Sequence, residues 1–188
     1  MDDIKRKNMK LYTIIFVLLF GIKLNAQNKF VSAIQFEIGK EASYKANLNE
    51  GKFIDDLSWA WSSQNACFPE TQKQKFTGKH VLFTGIIPAH SVTTVVVTPK
   101  NKNANFSVYA YQIGENESYT VPDLPRCVSC EADHKWDYKK RGKTQTHVRT
   151  ITDFTAINNS YRLVIGVTGA NGLATGEFEI KVITKKYY

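Results

Sequence analysis

Apolar and polar residues alternate with a period of two along much of the chain, in short segments separated by Gly, Asn and Pro. The clearest case is residues 176–184, GEFEIKVIT, where Phe178, Ile180 and Val182 share one side. The two glutamates and the lysine between them share the other side. Alternation of this kind is typical of a β-strand with one buried face. The pattern therefore predicts a last strand that covers a core.

The same alternation recurs upstream, and no long segment has the period of a helix. We predict further strands at residues 30–38, 58–62, 80–87, 91–99, 105–114, 118–122, 147–152 and 160–167. The Gly-rich residues 168–176 predict a hairpin between the last two strands. Together these elements predict an all-β fold, an antiparallel β-sandwich or jelly roll. Residues 39–57 and 123–146 are predicted to be long irregular loops, which in compact domains are usually functional or disordered.

The N-terminal 26 residues have the pattern of a secretory signal peptide. A basic start precedes the apolar run at residues 11–22, and the segment ends in Asn-Ala at position 26. The apolar run is shorter than the ~20 residues that a membrane-spanning helix needs. We therefore predict cleavage after Ala26, export, and no membrane insertion of the mature chain. Residues 27–188 then form a single domain.

Charge gives limited information about partners. The full chain has a net charge of +8, and loss of the signal peptide removes five basic and two acidic residues, which leaves +5. This charge suits acidic partners such as anionic glycans or envelope surfaces, although it is also ordinary for solubility. An exported chain without an arginine-rich stripe is not expected to bind nucleic acid.

Three segments occur in an order that a known family shares. They are FTGKHVLFTGIIPAHSVTTVVVTP, then NFSVYAYQIG, then YRLVIGVTGANGLATGEFEIKV, spanning about residues 76–184. The last contains a Gly-rich turn followed by Thr-Gly-x-aromatic-x-aliphatic at residues 175–180. This order resembles the bacterial pre-peptidase C-terminal (PPC-like) domain. The resemblance implies a jelly-roll module carried on secreted bacterial proteins, in the periplasm or on the extracellular surface.

Some members of that family bind calcium through carboxylates just before the strand that reads FSVYAY here. This chain instead has Asn101, Asn103 and Asn105 at those positions. Neutral amide oxygens alone hold Ca²⁺ poorly. We therefore predict no metal or other cofactor.

The cysteines allow several kinds of chemistry. Cys127 and Cys130 have CxxC spacing and could form half of a zinc site, whose other two ligands would be His134 with Cys67 or His80. A redox centre would need a βαβ context that this sequence lacks. In an exported protein a disulfide fits better, either within the CxxC or from one of its cysteines to Cys67. An odd number of cysteines leaves one thiol free, paired with another chain or bound to a ligand.

Within the second long loop, residues 135–143 (KWDYKKRGK) combine aromatic and basic side chains. Aromatic and arginine side chains are favoured contacts at interfaces, and aromatic rings can also stack on sugars. The alternative is that Trp136 folds back onto the sandwich and the lysines are only solvated. The predicted partner-binding residues are Trp136, Tyr138, Lys139, Lys140 and Arg141.

The sequence contains no GxSxG or HExxH motif, and after the signal peptide its one adjacent carboxylate pair, Asp55-Asp56, lies in a polar segment. We therefore predict no catalytic residues and no enzyme. The predicted function is that of a secreted, non-enzymatic binding or accessory module at the bacterial surface, which contacts a glycan or an envelope protein. The alternative is a structural or assembly component of a secreted complex, using exposed strand edges and the unpaired cysteine.

Overall fold

A computed structural model describes residues 31–188, and the predicted signal peptide lies outside this range. The described residues form two β-sheets packed face to face, which confirms the all-β sandwich. The strands are β1 (Val31–Ala33), β2 (Lys40–Asn47), β3 (Lys52–Phe53), β4 (Lys79–Ile87), β5 (Ser91–Pro99), β6 (Phe106–Gly114), β7 (Ser129–Asp133), β8 (Arg149–Ala156), β9 (Tyr161–Gly169) and β10 (Glu177–Lys186). Short 3₁₀ helices span Leu48–Glu50, Ser58–Trp61 and Glu70–Phe76. None of the helices in this part of the chain is long and apolar enough to cross a membrane.

The larger sheet has the order β1-β4-β9-β6-β7, with β3 also paired to β4, and the smaller sheet has the order β2-β10-β5-β8. Every pair is antiparallel except β1 with β4. The predicted hairpin between β9 and β10 is wrong, because these strands lie in different sheets. Both have an apolar face, and they bury it from opposite sides of one core. The Gly-rich connection crosses from sheet to sheet.

Four local predictions also differ from the structure. Of the predicted strand at residues 30–38, the structure describes residues 31–38, and among these only Val31–Ala33 form a strand. Within residues 58–62, Ser58–Trp61 form a 3₁₀ helix, and residues 118–122 form no strand. Residues 39–57, predicted to be irregular, contain β2. Its inward side chains include two alanines, so the hydrophobic alternation in the sequence is weak. Pairing with β10 over eight residues stabilises the strand instead.

The first core fills the space between the sheets. Phe178, Ile180 and Val182 of β10 are buried there, as the alternation predicted. Phe178 contacts the rings of Phe83 and Phe106 from the opposite sheet, at centroid distances of 6.2 and 5.5 Å. Aromatic and aliphatic side chains from both sheets thus interdigitate in one apolar layer.

A second core lies on the outer face of the larger sheet. Tyr109 and Tyr111 project outward from β6, and residues 57–76 and 121–130 cover them. Trp59 packs against both tyrosines, with ring centroids 5.3 and 5.8 Å away. The central strands β6 and β9 are therefore buried on both faces, and the sheet is the middle of three layers.

One close approach in this second core requires a glycine. Tyr109 lies directly opposite Gly166 of β9 in the cross-strand register. A Cβ atom at position 166 would lie 2.0 Å from the tyrosine ring, so only glycine leaves room for the ring to lie on the sheet. This arrangement allows Tyr109 to be fully buried.

His80 is a fully buried polar residue of the second core. Its ring nitrogens lie 3.0 Å from the Tyr109 hydroxyl oxygen and 2.9 Å from the carbonyl oxygen of Phe76. Burial lowers the pKa of His80 to about 4, because the charged imidazolium would lose its hydration. The folded protein therefore holds a neutral histidine at this position.

A disulfide joins Cys67, in the segment that covers the second core, to Cys130 in β7, with a Cα–Cα distance of 5.3 Å. The sequence allowed a disulfide within the CxxC or one from either of its cysteines to Cys67. The structure has the second kind of bond. Cys127 is the free cysteine. The predicted loop at 123–146 is interrupted by β7, because pairing with β6 orders residues 129–133.

We expect the double substitution Cys67→Ser with Cys130→Ser to lower the free energy of unfolding by about 4 kcal/mol. The bond spans 63 residues, and cross-linking a loop of that size restricts the unfolded chain accordingly. Urea unfolding measures the change. Cys127→Ser is the control, with an expected change under ~1 kcal/mol. Three reactive thiols in the unreduced, denatured protein would contradict the assignment.

We expect the free energy of unfolding to fall as the pH is lowered from about 6.5 to about 4. The unfolded chain binds a proton on His80 near pH 6.5, whereas the folded side chain stays neutral down to about pH 4. The stabilisation is complete above this window and is lost within it, by on the order of 3 kcal/mol. Urea unfolding across this pH range measures the slope, and His80→Gln should flatten it. The half-buried His134 provides the control variant, His134→Gln, which should retain most of the slope.

Candidate functional site

The basic loop, defined as residues 135–143, lies between β7 and β8. It contains five cationic side chains and a single carboxylate, that of Asp137. The charge density is much higher than the chain average, and the loop contacts the 3₁₀ helix Glu70–Phe76, which covers the second core. We call residues 134–137 its first arm and residues 138–143 its tip. The chain then returns to β8 through a second arm, residues 144–149.

The first arm is anchored to the 3₁₀ helix Glu70–Phe76. The carboxylate of Asp137 forms an ion pair with Lys75 at 2.5 Å and accepts a hydrogen bond from the Gln72 amide at 3.2 Å. His134 lies 3.0 Å from the oxygen of the same amide. The hydrogen bond from Lys75, followed by that from Gln72, lowers the pKa of Asp137. The loop's one carboxylate is thus already engaged within the chain.

The second arm is held to the first by a side-chain amide. The backbone N–H of Trp136 donates to Gln145 Oε1 at 2.6 Å, and Gln145 Nε2 donates back to the Trp136 carbonyl oxygen at 3.4 Å. Below this pair, the Thr150 N–H donates to the Asp133 carboxylate at 2.8 Å. Both arms are therefore tied to each other and to the ends of β7 and β8.

The tip presents the predicted side chains to solvent. Tyr138 is 87% exposed, and Lys139 and Arg141 are also exposed. Trp136 is half-buried, and the ammonium of Lys140 lies 4.2 Å from its ring centroid, a cation–π contact. The structure thus joins Trp136 with Lys140 and leaves the other three predicted residues free for an external contact.

Among residues 31–188, no carboxylate forms an ion pair with the cations of the basic loop. None of the ion pairs formed by residues 31–188 includes a member of this set: Lys135, Lys139, Arg141 and Lys143. Positive charge that is not neutralised within the chain is available to an acidic partner.

Arg149, at the start of β8, is a positioning residue that the sequence interpretation missed. Its buried guanidinium donates to the carbonyl oxygens of Phe106, at 2.7 Å, and Thr146, at 2.9 Å. Burial lowers the pKa of Arg149. It fixes the returning arm of the loop to β6 and places one more charge at the loop's base. The sequence did contain one indication of this burial. Arg149 is two residues from the apolar Ile151, so in a β-strand the two side chains point to the same inward face.

A groove of about 560 Å³ lies at one end of the smaller sheet. It was also missed, because it combines side chains from β2, β5 and β10 that are far apart in sequence. Its main lining residues are Lys45, Thr98, Lys100, Glu177, Phe178 and Glu179. Lys100 and Glu177 pair with each other at 2.5 Å, so the charges at this end are largely compensated.

The zinc hypothesis is not supported by the positions of its ligands. Cys67 and Cys130 are bonded to each other, and His80 is held inside the second core. Among residues 31–188, no three His, Cys, Asp or Glu side chains come together in a group that could hold a metal ion. Partial burial raises the pKa of the Cys127 thiol, which favours its protonated form.

No protein-family model matches the chain, and no curated protein matches it. Among solved structures, the chain is similar to that of PliG from Aeromonas hydrophila, a periplasmic lysozyme inhibitor of g-type lysozyme. The two are 10% identical with a TM-score of 0.39, over 82% of this chain and 96% of that chain. The PPC-like resemblance stays a prediction.

We expect Asp137→Ala to loosen the basic loop without unfolding the domain. The substitution removes the contacts with Lys75 and Gln72, whereas both cores lie elsewhere. Trypsin should then cleave after Lys139, Lys140 or Arg141 several-fold faster, with little change in the midpoint of urea unfolding. Glu70→Ala is the matched control, because Glu70 pairs with Lys73 on the same helix but does not contact the loop. Equal cleavage rates in the two variants would contradict the anchoring role.

Proposed function

We propose that the protein is a secreted, non-enzymatic binding or accessory module that contacts an acidic partner at the bacterial surface through the basic loop. The partner is a glycan or an envelope or secreted protein with negative charge. One observation carries the proposal: a loop with two anchored arms presents cations without internal counterions beside an exposed tyrosine. The proposed location, in the periplasm or outside the cell, rests on the predicted signal peptide and the PPC-like resemblance.

The geometry supports binding in two ways. The contacts of Asp137 and Gln145 fix the arms before any partner arrives, so less conformational entropy is lost on association. The exposed ring of Tyr138 and the half-buried ring of Trp136 offer flat apolar area, while Lys139 and Arg141 supply charge. Aromatic and arginine side chains of this kind often dominate interface energies.

The alternative function, a structural or assembly component, is supported by a different observation. Cys127 is a half-buried free thiol, whereas the other two cysteines form a disulfide. In addition, the long strand β2 lies at an edge of the smaller sheet. A thiol that forms a bond to another chain would yield a dimer sensitive to reductant. Size-exclusion chromatography with and without reductant separates this alternative from the binding module.

We expect Trp136→Ala with Arg141→Ala to weaken binding to bacterial envelope fractions at least tenfold and to leave the unfolding midpoint nearly unchanged. The two truncations remove an aromatic surface and a cation at the same site. Co-sedimentation of the mature protein with envelope fractions measures binding, and protease or periodate treatment of the fractions distinguishes a protein partner from a glycan.

The matched control is Lys185→Ala, which removes an exposed cation of β10 at the end of the smaller sheet away from the loop. Its binding should equal that of the wild type. Because the contact is electrostatic, wild-type binding should also weaken as salt is raised from about 0.05 to 0.5 M. If the double substitution leaves binding unchanged, the basic loop is not the binding surface.

A further inference from the structure

The edges of the two sheets are protected to very different degrees. β1 and β3 are only three and two residues long. At the β7–β8 side, Asp133 accepts a hydrogen bond from the Thr150 N–H, and β8 is distorted by the positive φ of Asp153. Short edges and local distortions of this kind oppose pairing with another strand.

β2 has none of these protections. It is an eight-residue edge strand that pairs with β10 without a register shift. Among residues 31–188, residues 41–46 have no backbone hydrogen-bond partner outside β10. Glu41, Ser43 and Lys45 are exposed along its outer face. The backbone groups on the outer side of β2 are therefore available to another strand.

The sequence of β2 is complementary to itself. If a second β2 lies antiparallel with Ser43 opposite its own counterpart, Glu41 of each chain faces Lys45 of the other. On the inner face, Ala42 of each chain then faces Tyr44 of the other, a small residue against a large one. A shift of the register by two residues in either direction loses both charge pairs.

We propose that β2 is a self-association surface through which two copies of this chain form a twofold dimer with one continuous eight-stranded sheet. The strand that pairs with β2 comes from a second copy of this chain. The charge pattern of β2 is complementary to the same pattern read in reverse, as an isologous interface requires. The Glu41 carboxylate already bonds to Lys181 of its own chain at 3.1 Å. In the dimer the Glu41 carboxylate lies between Lys181 of its own chain and the partner's Lys45. Positive and negative side chains therefore alternate across the boundary between the two β2 strands. The proposal does not depend on the basic loop.

Charge reversal tests this register directly. Sedimentation equilibrium of residues 27–188 at low salt, in a Cys127→Ser background, should show a concentration-dependent dimer for the otherwise unchanged chain. Lys45→Glu or Glu41→Lys alone places like charges opposite each other twice, which should raise the dimer Kd about tenfold. The double variant, Glu41→Lys with Lys45→Glu, restores opposite charges at both positions and should recover the dimer.

Controls separate this surface from other causes. Lys102→Glu makes the same change in net charge as Lys45→Glu, but at an exposed turn, and should leave the dimer intact. Trp136→Ala with Arg141→Ala should also dimerise normally, so failure of the loop proposal and failure of this one are distinguishable. Circular dichroism verifies that each variant is folded. A chain that stays monomeric at every concentration, a dimer indifferent to single charge reversal, or a double variant that fails to recover would each overturn the proposal.

Discussion

The burial of Tyr109 and Tyr111 on the outer face of the larger sheet explains most of the architecture around it. Two neighbouring large rings on that face cannot remain in water without a large loss of hydrophobic stabilisation. Gly166 makes space for one ring, and His80 satisfies its hydroxyl group. A covering layer is then required, and residues 57–76 and 121–130 provide it. This is why a chain of sandwich strands also needs long segments with little regular structure.

The covering layer in turn determines where the basic loop lies. The 3₁₀ helix Glu70–Phe76 buries Phe76 in the second core and directs Gln72 and Lys75 outward. Those two side chains hold Asp137 and thus the first arm of the loop. The disulfide from Cys67 to Cys130 ties the same layer to β7, from which the loop departs. Core packing, cross-link and candidate site therefore form one connected system.

The two faces of the sandwich have different consequences. The larger sheet is covered on its outer side, and the side between β7 and β8 is closed by the contact of Asp133 with Thr150. The smaller sheet keeps a solvent-facing surface and, at β2, a regular edge. Within the described part of the chain, the cations of the basic loop form no ion pairs, whereas charges on the smaller sheet alternate and partly pair with one another. The loop is suited to a partner of opposite charge, and β2 is suited to a copy of itself.

The sequence by itself determined the fold class and most of the long strands, because half-buried strands such as β10 impose a period of two on their own residues. It also indicated that Cys67 could pair with one of the CxxC cysteines, and it located the loop of aromatic and basic residues. Long-range contacts in the folded chain were needed to show which strands pair, that β9 and β10 lie in different sheets, and that Cys130 is the bonded partner. It also decided that β2 is a strand, that Arg149 is buried beneath the loop, and that Gln72 and Lys75 anchor Asp137. These features depend on contacts between residues distant in sequence, and a local pattern of polar and apolar residues carries no information about which distant side chain will supply a hydrogen bond, a counterion or a covering ring.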